Sequence, residues 1–196
     1  TLMRSSAASD VYKRQEHTCI QCLGTNRVRT REIFLENYGA DFPFDPYRAE
    51  VTELFNTHYK GVPLPTKPGI RELLNYLQEQ DIKVGLASST AQHLVRDEIG
   101  TAGLLPYFQT LVCGDMVEHS KPAPDIFLKA CEILNADPTK FIAIEDSFNG
   151  IRSAHCAGMT PIMVPDQVQP TDEIRTLAFH VMPSLLDVLN WLKTLA

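Results

Sequence analysis

Phe141–Gly150 reads FIAIEDSFNG. Four residues suited to a buried strand run directly into two adjacent carboxylates, Glu145 and Asp146, and then into Ser, Asn and Gly. Two like charges at the end of a buried strand are costly unless a cation or hydrogen-bond donors compensate them. The acids therefore need a partner, either a cation elsewhere in the chain or one held with its help.

Working outward from this stretch, short apolar runs alternate with helical periodicity. Ile70, Leu73, Leu74 and Leu77 fall at i, i+3, i+4 and i+7, one face of a helix. Strands are predicted at Ile82–Ala87, Thr110–Cys113, Phe141–Ile144 and Pro161–Val164, with a short one near Phe179–Met182. Helices are predicted at about 91–102, from Pro124 through about Leu134, at 148–157 and from Ser184 to Leu195. Alternation of this kind predicts an α/β fold, a Rossmann-like parallel sheet with helices on both faces.

The region from 16 to 62 has a different rhythm. Val28, Ile33, Phe34, Leu35 and Tyr38 outline one imperfect helical face, and Gly39 is placed to stop it. Phe42–Pro46 reads as a turn, and Ala49, Val51, Leu54, Phe55 and Tyr59 as a second amphipathic helix. Pro65–Gly69 resembles a linker into the region that follows. Residues 1–15 (TLMRSSAASDVYKRQ) have no period and no apolar run. They read as a non-native scar or a disordered tail.

Composition narrows the function classes. The chain has 196 residues, 44% apolar and 21% charged, with a formal net charge of −6. It is long enough for one domain with a core and a small appendage. No Lys/Arg run exceeds two residues, which argues against nucleic acid as a partner. No apolar run approaches the roughly 18 residues that span a bilayer. Five scattered cysteines (Cys19, Cys22, Cys113, Cys131 and Cys156) make no disulfide framework and suit a reducing, cytoplasmic setting. His17, Cys19 and Cys22 have ligand-like spacing, but a second Cys/His pair to complete a zinc site is missing.

In open parallel sheets, ligands bind beyond the carboxyl ends of the strands. Three predicted strand ends carry polar residues: Ser88-Ser89-Thr90, then Ser120-Lys121-Pro122 at a helix entrance, then Glu145-Asp146. Hydroxyls, one ammonium and a carboxylate pair at one rim suit a phosphate group beside a divalent cation. Each piece has a plainer reading. Ser88 and Thr90 would serve as helix N-caps, Lys121 as a solvated lysine, and the acids as first-turn carboxylates.

Together, LASST (86–90), SKPAPDIF (120–127) and IEDSFNGIRSAHCAGM (144–159) resemble the second, third and fourth motifs of the haloacid dehalogenase-like superfamily. The likeness is to its β-phosphoglucomutase-like and phosphoglycolate-phosphatase-like branch, and it covers about residues 16–190. It implies a Rossmann-like core at 63–196, a partial helical cap at 16–62 and a Mg²⁺ cofactor. Ser88 would bond the transferring phosphoryl group, Lys121 would neutralise it, and Asp146 would bind Mg²⁺ with Glu145 as a further ligand or its neighbour. Ser89 would assist in binding substrate. Gly24-Thr-Asn-Arg27 resembles the cap's G-x-x-R, whose Arg27 would reach the substrate; alternatively Arg27 is a solvated helix residue.

The first motif of that family, D-x-D-G-T/V, has no counterpart: no D-x-D occurs in the chain. It would supply the nucleophilic Asp, the acid/base Asp and the strand between those ending at Ser88 and Asp146. The expectation is therefore a Mg²⁺-dependent phosphatase of a small phosphorylated metabolite, monomeric, working through an aspartyl-phosphate in a longer parent. A β-phosphoglucomutase-like phosphotransferase is the alternative, and an inactive phosphate- or partner-binding fragment is the alternative of another class. A chain lacking that strand leaves backbone groups unpaired on both neighbours, each costing roughly 1–3 kcal/mol where buried.

Overall fold

The computed structural model describes residues 15–59 and 65–195. The scar-like segment 1–15 thus lies outside the described residues apart from Gln15. An N-terminal helical layer comes first: α1 over 15–22, α2 (Arg27–Tyr38) and α3 (Phe44–His58). Then helices and strands alternate: α4 (Ile70–Glu79), β1 (Gly85–Ser88), α5 (Gln92–Thr101), β2 (Thr110–Cys113), α6 (Asp125–Ile133) and β3 (Ile142–Glu145). They continue with α7 (Phe148–Cys156), β4 (Thr160–Met163), α8 (Asp172–Leu177), β5 (His180–Val181) and α9 (Leu185–Leu192).

Every strand pair is parallel, as the alternation predicts, but the strands form two sheets. One is β1–β2, with Gly85 opposite Thr110; the other is β3–β4–β5, with Ile142 opposite Thr160. Among the described residues, β1 and β3 each have one edge without a strand partner.

Shared helical cover holds the two sheets in one layer. On one face, α6 and α7 contribute Ile126, Phe127, Ala130, Ala154 and Ala157 to a cluster with Val112 of β2 and Ala143 of β3, and Ala87 of β1 packs on it. On the other face, Leu73 and Leu77 of α4 and Leu185, Val188 and Leu189 of α9 cover Ile162 and Val164, with Val84 alongside. A third cluster, Ile151, Met163, Val168 and Ile174, joins α7, β4 and α8. The best-buried strands are β2, all four residues of which are buried, and β4, the middle strand of its sheet, with Pro161–Met163 buried. In β1 no residue is buried, and Ile142 and Ile144 of β3 remain 36% exposed.

Several elements differ from the sequence reading. β1 starts at Gly85 and not Ile82, because Val84 bonds the Gln109 side chain and Ile82 is 44% exposed. β3 extends through Glu145, so the first acid belongs to the strand. α8 was not predicted from the sequence; its six residues are capped by Thr171 and anchored by Ile174. The expected turn at Phe42–Pro46 already contains the start of α3, with Pro43 as its cap. The apolar face expected at Leu54 and Phe55 is exposed, and Phe44 is the buried residue of α3. Phe44 packs against Phe34, which also contacts Tyr38, Phe42 and Tyr47. Gly39 does stop α2, at φ +98°.

Two substitutions separate the expected from the observed packing. Ile162→Ala, in a fully buried strand position, should lower unfolding free energy by about 2–5 kcal/mol in urea titration. Leu54→Ala, on the exposed face of α3, should change it by less than about 0.5 kcal/mol.

Candidate functional site

The polar residues gather where the carboxyl ends of β1 and β3 approach each other. Lys121, on the loop before α6, is 4% exposed, so its expected alternative as a solvated lysine does not hold. Its Nζ donates to the Ala87 carbonyl of β1 (3.3 Å) and to Glu145 Oε1 of β3, and lies 4.8 Å from the Phe127 ring centroid. One ammonium thus ties both sheets together at one rim. The loop is held by Asp125, in the first turn of α6, which accepts from His119 N (3.2 Å) and pairs with His119 Nδ1 (2.9 Å).

Glu145 is positioned from the other side by α7. Ser147, the N-cap, accepts from Gly150 N (3.0 Å) and donates to Glu145 Oε2 (3.4 Å). A Cβ at Gly150 would collide with the Glu145 carboxylate, so glycine there gives the acid room to lie against the helix. Asp146 points elsewhere: Lys67 Nζ lies 3.7 Å from it and 3.2 Å from Asp166. The adjacent acids therefore have separate ammonium partners, which answers their mutual repulsion. Lys67 and Asp166 were not singled out in the sequence. Both sit in irregular segments, and only tertiary folding brings them to the rim.

At the end of β1, Ser88 Oγ accepts from Thr90 N (3.2 Å), and no hydroxyl of the Ser88–Thr90 run caps α5. Asp115, after β2, accepts from Gln92 N (3.0 Å) instead. Ser89 Oγ donates to the Gly24 carbonyl (2.6 Å). That bond is one of three by which the turn at 23–26 docks on the rim. Asn149 Nδ2 donates to the Leu23 carbonyl (2.9 Å), and Asn26 N donates to Ser120 Oγ (2.9 Å). Gly24 has φ +75°, and a Cβ there would meet Ser147 Oγ at 2.5 Å, so both backbone and space require glycine. All three strand-end motifs thus touch the turn that leads into α2.

Arg27 opens α2 and pairs with Asp45 at 2.9 Å, both largely exposed. It lines a cavity of about 1140 Å³ between α2, α3 and the start of α5, with Arg48, Thr52, Ser89, Thr90 and His93. The structure therefore brings Ser88, Lys121, Glu145 and Asp146 to one rim and places Arg27 and Ser89 on the cavity beside it. Cys22 lines the same cavity. Burial, and then Cys19, push the Cys22 thiol up to about 11, and His17 bonds Gln21 (3.1 Å).

Among the described residues no three His, Cys, Asp or Glu side chains are grouped to hold a metal by themselves. Asp146 and Asp166 instead present two hard oxygen donors around the Lys67 ammonium. Two carboxylates completed by water and phosphate oxygens are a usual Mg²⁺ environment, and the donor chemistry fits that ion.

A sequence profile of the haloacid dehalogenase-like hydrolases matches residues 3–164. The chain belongs to that family. It is 30% identical over 170 residues to a bifunctional riboflavin kinase/FMN phosphatase of Arabidopsis thaliana, covering 86% of this chain and 44% of that protein. Hexitol phosphatase B of Escherichia coli is 32% identical over 124 residues, 63% of this chain and 56% of the enzyme. The chain thus spans about half the length of these relatives. Among solved structures, CbbY from Rhodobacter sphaeroides in complex with phosphate superposes with a TM-score of 0.74 at 25% identity, covering 89% of this chain and 80% of that one. No helix among the described residues is long and apolar enough to cross a membrane.

Lys121→Met should destabilise the fold by about 3–5 kcal/mol, because it leaves Glu145 buried without its cation. The double variant with Glu145→Gln should recover part of that loss in the same denaturation experiment. At the neighbouring pair, the Asp125 hydrogen bond and charge raise the His119 pKa above 6.5, and the His119 hydrogen bond lowers that of Asp125 below 3.8. The His119 contribution is full below pH 6.5 and is lost as pH rises through its raised value; that of Asp125 is full above pH 3.8 and is lost as pH falls through its lowered value. NMR titration should show the His119 midpoint falling toward 6.5 in Asp125→Asn.

Proposed function

We propose that this chain carries the phosphate- and metal-binding side of a Mg²⁺-dependent phosphatase acting on a small phosphorylated metabolite. The observation that carries the reading is the buried Lys121 ammonium at the rim where β1 and β3 end, with Ser88 on one side and Asp146 on the other. A buried, fixed cation beside a hydroxyl is suited to a phosphoryl group, whose oxygens accept strong charge-assisted hydrogen bonds. That several relatives are named as phosphatases of phosphorylated sugars and related metabolites supports the same substrate class.

In this reading Ser88 Oγ, while accepting from Thr90 N, donates its O–H to a phosphoryl oxygen. Lys121 offsets the phosphoryl charge, and its bond to Glu145 fixes where the ammonium stands. Asp146, with Asp166, would hold Mg²⁺, which would supply positive charge against the phosphoryl oxygens, while Glu145, held by Lys121, would stand beside them as a neighbour rather than a ligand. Arg27 and Ser89 face the substrate from the cavity, and α1–α3 act as the cap over it. The nucleophilic and acid/base aspartates of the family are absent from this sequence, so hydrolysis through an aspartyl-phosphate needs a segment supplying them. This chain alone is then a binding half without turnover.

The test compares the chain as given with one extended at its N-terminus by an apolar segment ending in D-x-D-G. The extended chain should hydrolyse p-nitrophenyl phosphate only with Mg²⁺, and Asp146→Asn should lower its kcat/KM by at least about 100-fold. The chain as given should bind inorganic phosphate calorimetrically and release none. An extended chain that folds yet stays inert with Mg²⁺ would sink the reading.

A further inference from the structure

If the rim takes the phosphoryl group, the cavity beside it takes the rest of the substrate, and its lining is short of free donors. Thr52 Oγ1 donates to the Arg48 carbonyl (2.8 Å) and Ser89 Oγ to the Gly24 carbonyl (2.6 Å). Thr25 and Thr30 sit on the Cys22 and Asn26 carbonyls (2.8 Å each) with their hydroxyl oxygens 2.9 Å apart, so two protons serve three contacts. A hydroxyl has one proton and two lone pairs, and these four residues therefore turn acceptors toward the cavity they line.

The charges facing the same space balance. One face of α3 contributes Asp45, Arg48 and Glu53, and α2 contributes Arg27. Arg27 and Asp45 pair at 2.9 Å although they are 72% and 60% exposed. Asp45 stands in the first turn of α3, where the helix dipole favours a carboxylate on its own account. Arg27 opens α2, the end at which a cation is disfavoured, so Asp45 compensates a charge that α2 leaves unanswered. Phe44, the one phenyl ring among the described lining residues, is 2% exposed and packed on Phe34, so it offers no face on which a flat base could stack.

We propose that Asp45 is a specificity-determining residue: by engaging Arg27 it sets the cavity against a second anionic group and leaves it to a neutral tail rich in O–H donors, as in a singly phosphorylated polyol. The inference rests on the phosphatase reading and narrows the role that reading gives Arg27. A second phosphate is an acceptor without protons. It would meet the lone pairs of Thr52 and Ser89 and the like charges of Asp45 and Glu53, and both oppose it. A polyol hydroxyl has the opposite fit. It donates to those hydroxyl and carboxylate oxygens and accepts from the N–H groups that Arg27 and Arg48 still have to offer. Selectivity then comes from a repulsive element beside an attractive one.

The test is calorimetry on the full chain, with Mg²⁺ present, using inorganic phosphate, sorbitol carrying one terminal phosphate and sorbitol phosphorylated at both ends. The monophosphate should bind at least about tenfold more tightly than either the bisphosphate or inorganic phosphate. Asp45→Asn, at an exposed position that should keep the fold by circular dichroism, should raise the affinity for the bisphosphate relative to the monophosphate by at least about tenfold. Adding Arg27→Gln to Asp45→Asn should remove that gain, because the freed guanidinium carries it. Glu50→Gln deletes an exposed charge of α3 that does not line the cavity and should leave the ratio within about twofold. The inference is overturned if the unaltered chain prefers the bisphosphate, if Asp45→Asn leaves the ratio in place, or if Glu50→Gln moves it as far. Binding of inorganic phosphate in any of those outcomes leaves the phosphatase reading standing. A chain that binds neither inorganic phosphate nor a sorbitol phosphate sinks that reading and this inference with it.

Discussion

The Lys121 ammonium is the contact on which the two halves of the sheet depend. It is nearly inaccessible to solvent, and taking a charge out of water costs several kcal/mol unless geometry and hydrogen bonds compensate. Compensation comes from both sides, from the Ala87 carbonyl of β1 and from the Glu145 carboxylate of β3, with Phe127 beneath. These partners belong to different sheets that share no ladder among the described residues. Lys121 is thus at once a structural tie and the positive end of the candidate phosphate site. Its loss should disturb both, which is why the double variant with Glu145 matters for interpreting it.

The rim is also where the helical layer α1–α3 attaches. Ser89 comes from the loop after β1, Asn149 from the first turn of α7 and Ser120 from the loop before α6, and each fixes part of the 23–26 turn. A shift of that turn would be felt at all three segments. The cavity that Arg27 and Arg48 share with Ser89 and Thr90 is therefore coupled to the rim through short polar contacts.

Much of this was legible in the residues. Five strands and all the helices between them but α8 follow from short apolar runs alternating with helical periodicity, and their parallel direction follows from that alternation. FIAIEDSFNG marked a strand running into acids, and β3 does end there, one residue later than expected. The α3 face was misread because Leu54 and Phe55 have the spacing of a buried stripe, while an aromatic cluster around Phe34 anchors the helix through Phe44. Lys67 and Asp166 carried no local signal. A lysine in a Pro/Gly-rich segment and an aspartate after a strand resemble ordinary surface residues until folding sets them beside Asp146.

What the sequence determined by itself was the α/β class, the order of the elements apart from α8, the family and the residue types at the strand ends. These depend on periodicity and local chemistry, which a linear string retains. Only the tertiary structure decided that Glu145, the last residue of β3, pairs with Lys121 while Asp146, just beyond it, pairs with Lys67, because each ammonium reaches the rim from a distant segment of the chain. It also decided that, among the described residues, β1 and β3 share no ladder and are joined instead through Lys121 and the helices packed across them, contacts between residues far apart in the chain that no single stretch of it contains.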